Sequence, residues 1–288
     1  MKKYLIMGLL ATLLLPEHTK AAAEVYAAVG VTYGGYSGSV ERDYLLTERL
    51  NLSFYPEQSA GLTSGLTLHL ENVDLVKNAG FADLDQYQVG VSGYQAFQLE
   101  KGAGYLGGRL DLQYLDSDDQ FSDSTLIPYG AVTFKSADGR YYLDAGYAFS
   151  NYDRPDIDQY TVTVGLSLAG GRAWSQTRLY YINPDTAIQG EDETLAVEER
   201  LSYYAVPQKL TLGLYFLLGK RIFAYDPDIL TVYNLTDVQK GSVGLSSTYQ
   251  FSENLSLLGD VTYEAYQNND LQDKYSVIYG TINLTYRF

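Results

Sequence analysis

Few side chains in this sequence have an obvious chemical role, because it holds two histidines, His18 and His69, and no cysteine. His69 stands two residues before Glu71, a spacing that puts both on one face of a strand. An imidazole and a carboxylate so placed can share general acid–base work. One or two histidines leave only carboxylates as further metal ligands, so a transition-metal centre has a poor donor set. The absence of cysteine also removes thiolate nucleophiles, iron–sulfur clusters, disulfide frameworks and acylated anchors. Arginine–carboxylate chemistry is better supplied. Arg49, Arg109, Arg140, Arg178, Arg200, Arg221, Lys240 and Arg287 fall on the polar side of alternating segments, as do Glu71, Asp111, Asp144, Glu198, Asp260 and Glu264. Both signs gathered on one wall, eight basic and six acidic groups, make the nearly balanced polar surface of a wet lumen. A third group, Asp116, Asp118, Asp119 and Asp123, is a candidate Ca²⁺ site. It lacks the D-x-[DN]-x-[DN]-G calcium loop, and a solvated acidic rim is the plainer reading.

The elements that position these groups follow from periodicity. Lys2 and Lys3, the apolar stretch Leu5 to Leu15, Pro16 and Ala21-Ala22-Ala23 read as a secretory signal peptide over 1–23, too short in its apolar part to span a membrane as a helix. Loss of a leader carrying net +2 takes the formal charge from −15 to −17 and leaves 24–288 as a single domain. So acidic a chain argues against nucleic acid as a partner, since affinity for phosphates rests on Lys and Arg. Beyond the leader, short runs of strict alternation recur to the C-terminus. Tyr160, Val162, Val164, Leu166 and Leu168 alternate with Thr161, Thr163, Gly165 and Ser167; Ile278 to Phe288 does the same. Each such run is a strand with one apolar and one polar face. Fourteen are found, at about 25–33, 46–55, 62–72, 86–98, 104–115, 126–135, 140–151, 159–168, 173–182, 195–205, 210–222, 239–251, 256–267 and 276–288. On the ninth, Arg178 decides the faces. Placing it in mid-membrane lipid costs about 2–4 kcal/mol, so Trp174, Gln176, Arg178 and Tyr180 turn inward. Glu199 resists the scheme, sharing parity with Leu201 and Tyr203, which predicts either a bulge or a position at the upper interface.

The connections alternate long and short, and the long ones are rich in Asp, Asn and Pro. A water-soluble sandwich has no reason to sort its loops this way. A transmembrane barrel does, with short periplasmic turns, longer external loops and an even strand number. The predicted fold is therefore all-β: a transmembrane antiparallel up-and-down barrel of about 14 strands, within a range of 12–16. With its leader, its alternating strands and a last strand ending Tyr286-Arg287-Phe288, the chain resembles a Gram-negative outer-membrane β-barrel protein of porin-like kind. The resemblance covers the whole mature chain and names no narrower family. It implies an outer-membrane location reached by the Sec pathway, lipid and lipopolysaccharide as surroundings, and Tyr286 and Phe288 as the signal read by the barrel-assembly machinery.

Fourteen strands leave room for water and a small solute. The longest connection, Phe223 to Val238, has only 16 residues, so no large infolded constriction is expected. The narrowest point would then be made by wall side chains. Arg49, His69, Glu71, Arg109, Asp111, Asp144, Arg178, Glu198, Arg200, Arg221, Asp260 and Glu264 are the candidate pore-lining set, with Tyr94, Tyr105, Tyr142, Tyr180, Tyr204 and Tyr215 as rings on which sugars could slide. The expected function is passive passage of small hydrophilic solutes, with no cofactor beyond the candidate Ca²⁺. One alternative is an exit barrel for a secreted polysaccharide or other polymer, served by a periplasmic partner. A second is an outer-membrane hydrolase using His69 and Glu71, although His69 faces inward, away from any lipid substrate.

Overall fold

A computed structural model describes residues 23–56, 62–119, 122–153, 155–233 and 236–288; of the expected leader over 1–23, all but Ala23 lies outside the described residues. The strands are β1 (Ala23–Ser37), β2 (Arg42–Pro56), β3 (Leu62–Lys77), β4 (Leu84–Gln98), β5 (Gly104–Ser117), β6 (Thr125–Ser136), β7 (Tyr141–Asn151) and β8 (Asp156–Leu168). They continue as β9 (Ala173–Pro184), β10 (Thr194–Val206), β11 (Leu210–Arg221), β12 (Ala224–Asp226), β13 (Thr231–Tyr233), β14 (Val238–Ser252), β15 (Leu255–Asn268) and β16 (Asp273–Arg287). All except β12 and β13 pair antiparallel with their neighbours, β11 pairs β14, and β1 pairs β16. Closure of this kind leaves no strand edge, as a sheet in lipid requires. The chain is a closed fourteen-stranded up-and-down barrel.

The outward face carries the alternation seen in the sequence. Leu110, Leu218, Leu245, Val261 and Ile282 are exposed on it. Tyrosines ring its upper rim, with Tyr147 5.1 Å from Tyr160 and Tyr160 6.2 Å from Tyr181 between ring centres. Tyr286 and Phe288 stand in edge contact 5.0 Å apart at the opposite end. An apolar belt between two aromatic girdles is the lipid-facing surface of a membrane barrel.

The strands run further than the apolar alternation does. They reach 11 to 16 residues, against the roughly 9–11 that cross the hydrocarbon. Most of the expected long connections therefore shrink: the first to 38–41, the second to 78–83, the third to 118–124. The ladder needs only backbone groups, so it continues into water where outward residues such as Asp43, Asp74 and Tyr44 carry no apolar pattern. The turns at the other end remain short, at 99–103, 137–140, 169–172, 207–209 and 253–254.

Glu199 corrects both readings made for it. Its pairing with Thr177 and Phe216 is continuous, β10 shifts register only after Tyr204, and Glu199 sits midway between outward Leu195 and Tyr203. It therefore faces lipid at mid-barrel, where Ser175 Oγ and Thr177 Oγ1 donate to its carboxylate at 2.6 and 2.5 Å. Two hydroxyls on β9 lower the cost of an oxygen pair in lipid. Glu199→Gln keeps an acceptor and removes the charge, so the variant should be at least as stable to urea in lipid vesicles. A loss beyond about 1 kcal/mol would show that the charge itself is needed.

Candidate functional site

The sixteen-residue connection between β11 and β14 turns into the barrel. Its hairpin, β12 and β13 paired from Ala224↔Tyr233 to Asp226↔Thr231, lies against the inner wall. This overturns the expectation that no loop constricts the lumen. The physical reason lies in the segment's own residues. Ile222, Phe223, Ala224, Tyr225, Leu230 and Val232 are apolar enough to make their own core, and they bury against Leu115, Ile127, Tyr129, Ile157 and Ile182. Those wall positions lie on the face read as polar; at this end of β5 to β9 the barrel is apolar on both sides. Tyr152 and Phe223 meet at 4.7 Å, Tyr129 and Tyr225 at 5.4 Å.

Polar contacts place the hairpin along its length. Tyr225 Oη donates to Asp111 Oδ2 at 2.6 Å. Gln159 pairs with the Tyr225 backbone in both directions, at 2.7 and 2.9 Å. Gln88 Nε2 donates to the Leu230 carbonyl at 2.5 Å and also to Gln113. Gly90 makes this possible, since a Cβ there would overlap the Gln113 carboxamide. Arg49 Nη2 donates to Thr231 Oγ1 at 2.9 Å while its Nε bonds Glu71 at 2.7 Å. Beyond the hairpin Asp237 anchors the returning chain, paired with Arg42 at 2.7 Å and receiving Asn268 at 2.6 Å and the Tyr275 hydroxyl.

The tip is held by charge. Arg178 reaches Asp226 at 3.4 Å and Asp228 at 2.8 Å; Arg200 reaches the same two carboxylates at 2.7 and 2.9 Å. Gln176 Nε2 adds a bond to Asp228 at 2.9 Å, and Arg109 donates to the Pro227 carbonyl. Burial opposes ionisation of Asp228, yet Arg178 and Arg200 outweigh it and hold its carboxyl well below the usual carboxylate range. A depressed carboxyl supports the hairpin at every pH above its ordinary value of about 3.9, and that support fades only as pH falls through the depressed value. Protection of the hairpin from added protease should therefore be the same at pH 8 and pH 5; a hairpin released between those values would contradict the latch.

Beneath the tip a vestibule of about 1390 Å³ extends to the end where the termini and short turns lie. Tyr26, Tyr55, Tyr94, Tyr142, Asn51 and Asn283 line it, with Arg49 and Arg109 on the wall and Asp228 in the roof.

Set against this geometry, the candidate pore-lining residues all turn inward, yet only Arg49 and Arg109 border the vestibule. Arg178 and Arg221 are wholly buried, Arg178 by the latch and Arg221 with its guanidinium 4.1 Å from the Tyr233 ring. Glu198 pairs with Arg200 at 2.6 Å, and Asp111 with Arg109 at 2.8 Å. Asp144, Glu264 and Asp260 accept from Tyr142, Tyr266 and Thr262 on their own strands. His69 and Glu71 are not brought together as a dyad. His69 Nδ1 lies 2.7 Å from Asn51 Oδ1, its ring is buried, and Glu71 is taken by Arg49. Two basic residues leave the lumen altogether. Arg140 belongs to the 137–140 turn, exposed beside Asp138, and Lys240 is turned outward by a bulge between Gln239 and Gly241. Arg287 stays at the vestibule mouth, paired with Glu24 at 2.6 Å. In the acidic group Asp118 accepts the Asp85 amide, while the Asp119 carbonyl accepts two amides of its own turn. Among the described residues no three acidic or histidine side chains converge on a metal position. Sequence reasoning missed Asp226 and Asp228; the available signal was the apolar Ile222 to Tyr225 run at the start of a connection read as rich in Asp, Asn and Pro.

No protein-family model and no curated protein matches the sequence. Solved structures do resemble the fold. A deltaS2 mutant of the monoaromatic hydrocarbon channel TodX aligns over 93% of this chain and 90% of its own, at TM-score 0.60 and 10% identity. A Pseudomonas aeruginosa FadL homologue aligns over 92% and 89%, at TM-score 0.53 and 10% identity. A bacterial polysaccharide outer membrane secretin aligns over 94% and 100%, at TM-score 0.50 and 12% identity. The fold is that of outer-membrane β-barrels.

Proposed function

We propose that the protein is an outer-membrane channel for small hydrophilic solutes, with the β12–β13 hairpin as the element that closes it. One observation carries the reading. A polar vestibule inside a fourteen-stranded wall ends on a hairpin held by side-chain contacts, and no strand of the wall itself crosses the path. Without the hairpin, a barrel of this strand number holds a water-filled lumen. The fold likeness to a hydrocarbon channel supports the same class of function. In planar bilayers the native chain should give rare openings, whereas a chain with 224–233 replaced by a short Gly-Ser linker should give frequent, larger steps. A correctly folded shortened barrel without conductance would overturn the reading.

A second reading, an exit barrel for a secreted polymer, is favoured by the direction in which the vestibule faces. It opens at the short-turn end, taken as periplasmic, so a solute from that side meets the latch while one from outside meets an apolar plug. The likeness to the polysaccharide secretin is in keeping with it. Normal polymer secretion after deletion of the gene would exclude it. Insertion by the barrel-assembly machinery through Tyr286 and Phe288 belongs to either reading. Deleting Phe288 should lower the amount of folded protein in the outer membrane several-fold while leaving conductance per channel unchanged; unchanged amounts would remove Phe288 as a signal.

A further inference from the structure

The latch has the form of an occupied binding site. Arg178 and Arg200 stand on adjacent strands, and each guanidinium contacts both carboxylates, so four N···O contacts interlock at 2.7 to 3.4 Å. The Asp228 amide folds back onto Asp226 Oδ1 at 2.9 Å, which fixes the two carboxylates side by side. Paired guanidiniums presented this way match two carboxylates in geometry as well as charge.

The wall offers no ion pair in exchange. Of the nearby wall carboxylates Glu71 is engaged by Arg49, Asp111 by Arg109 and Glu198 by Arg200, and Asp144, one strand beyond the Thr163 hydroxyl that Arg178 bonds, accepts from Tyr142 and makes no ion pair with Arg178. Among the described residues, the only ion-pair partners of Arg178 are Asp226 and Asp228; its wall contacts are the Thr163 and Tyr180 hydroxyls. An open state therefore strips Arg178 of both its ion-pair partners, and a solute bearing only hydroxyls cannot replace them.

The approach is one-sided. Arg178 and Asp226 are sealed, while Arg200 and Asp228 keep 27% and 28% of their side-chain surface. Asp228 borders the vestibule together with Arg109. At the other end the plug of Phe223, Tyr225 and Val232 closes the described part of the lumen.

We infer that Arg178 and Arg200 form a binding site for a solute carrying two neighbouring carboxylates, that Asp226 and Asp228 fill it as a tethered stand-in, and that such a solute entering from the short-turn vestibule displaces the hairpin. This rests on the channel reading and names its solute class. A ligand tethered by a short segment competes at an effective concentration on the order of millimolar, so the free solute should act in that range.

The test uses planar bilayers with the full chain, the 224–233-shortened chain, and the shortened chain carrying Arg178→Gln and Arg200→Gln. Heat-modifiable migration on gels checks that each barrel is folded. The probes are acetyl-Asp-Pro-Asp-amide and succinate, with acetyl-Asn-Pro-Asn-amide and glucose as controls, each added on the short-turn side. The shortened channel should prefer anions and be blocked by the Asp peptide at roughly millimolar concentration, with the Asn peptide at least tenfold weaker. The double Gln substitution should abolish both the preference and that difference. In the full chain succinate should raise the opening frequency and glucose should not. Equal block by the two peptides, or block that survives the Gln substitutions, overturns the inference and leaves the channel standing. If the Gln barrel does not fold, the peptide pair on the shortened chain decides alone. A folded shortened barrel that does not conduct removes the channel reading itself.

Discussion

Replacing Asp226 and Asp228 together by Asn should, on the channel reading, turn rare openings into frequent ones. The substitution keeps side-chain size and leaves both asparagines able to accept one hydrogen bond. It removes the two charges that Arg178 and Arg200 share. Breaking a buried pair by neutralising one partner costs about 3–5 kcal/mol, because the remaining charge is stranded. Asp228 and Arg200 retain some solvent, so the lower end of that range is the better guide. A shift of about 3 kcal/mol changes the ratio of closed to open by roughly a hundredfold. Single-channel recording reads this as open probability, with conductance per step unaltered from the brief native openings. An open probability that stays at the native level would mean that the apolar plug alone holds the hairpin.

Tyr225→Ala tests that plug directly and should have the second large effect. The ring packs on Tyr129 at 5.4 Å within the cluster of Ile127, Ile157 and Ile182, and its hydroxyl donates to Asp111 at 2.6 Å. Removing a buried aromatic side chain costs about 3–5 kcal/mol, part of it from the cavity left behind. That loss falls on the hairpin and spares the wall, whose ladders from β1 to β16 contain no bond to Tyr225. The barrel should therefore still run as a folded, heat-modifiable species while the hairpin becomes a substrate for protease added to intact cells. Loss of the folded species would show instead that the plug is part of the barrel's own stability. The two variants separate charge from packing, and their effects should fall short of additive because both act on one hairpin.

The same pair of contacts marks where sequence reading stops. Alternation placed Arg49, Arg109, Arg200 and Arg221 on the inner face, and the structure has them there, because a strand's two faces follow from its own residues every second position. Arg178 was assigned by the cost of a charge in lipid, a local argument that needs no partner. Glu199 escaped it for a non-local reason: Ser175 and Thr177 on the neighbouring strand offer two donors. Lys240 escaped because one bulge reverses every face beyond it. The inner apolar positions Leu115, Ile127, Ile157 and Ile182 were passed over because a barrel's inside was assumed wet.

Class, strand number and closure were thus legible in the chain, since alternation, turn residues and strand count are properties of short segments. The course of 222–237 was not. A connection has no period to read, and whether its apolar residues meet water or a wall depends on partners 40 to 160 positions away, as Tyr225 with Asp111 and Thr231 with Glu71 illustrate. The sequence alone determined an inner face that carries charges of both signs. Only the tertiary structure decided that two aspartates from the chain's own loop occupy its guanidiniums, because an ion pair across the barrel is a fact of distance.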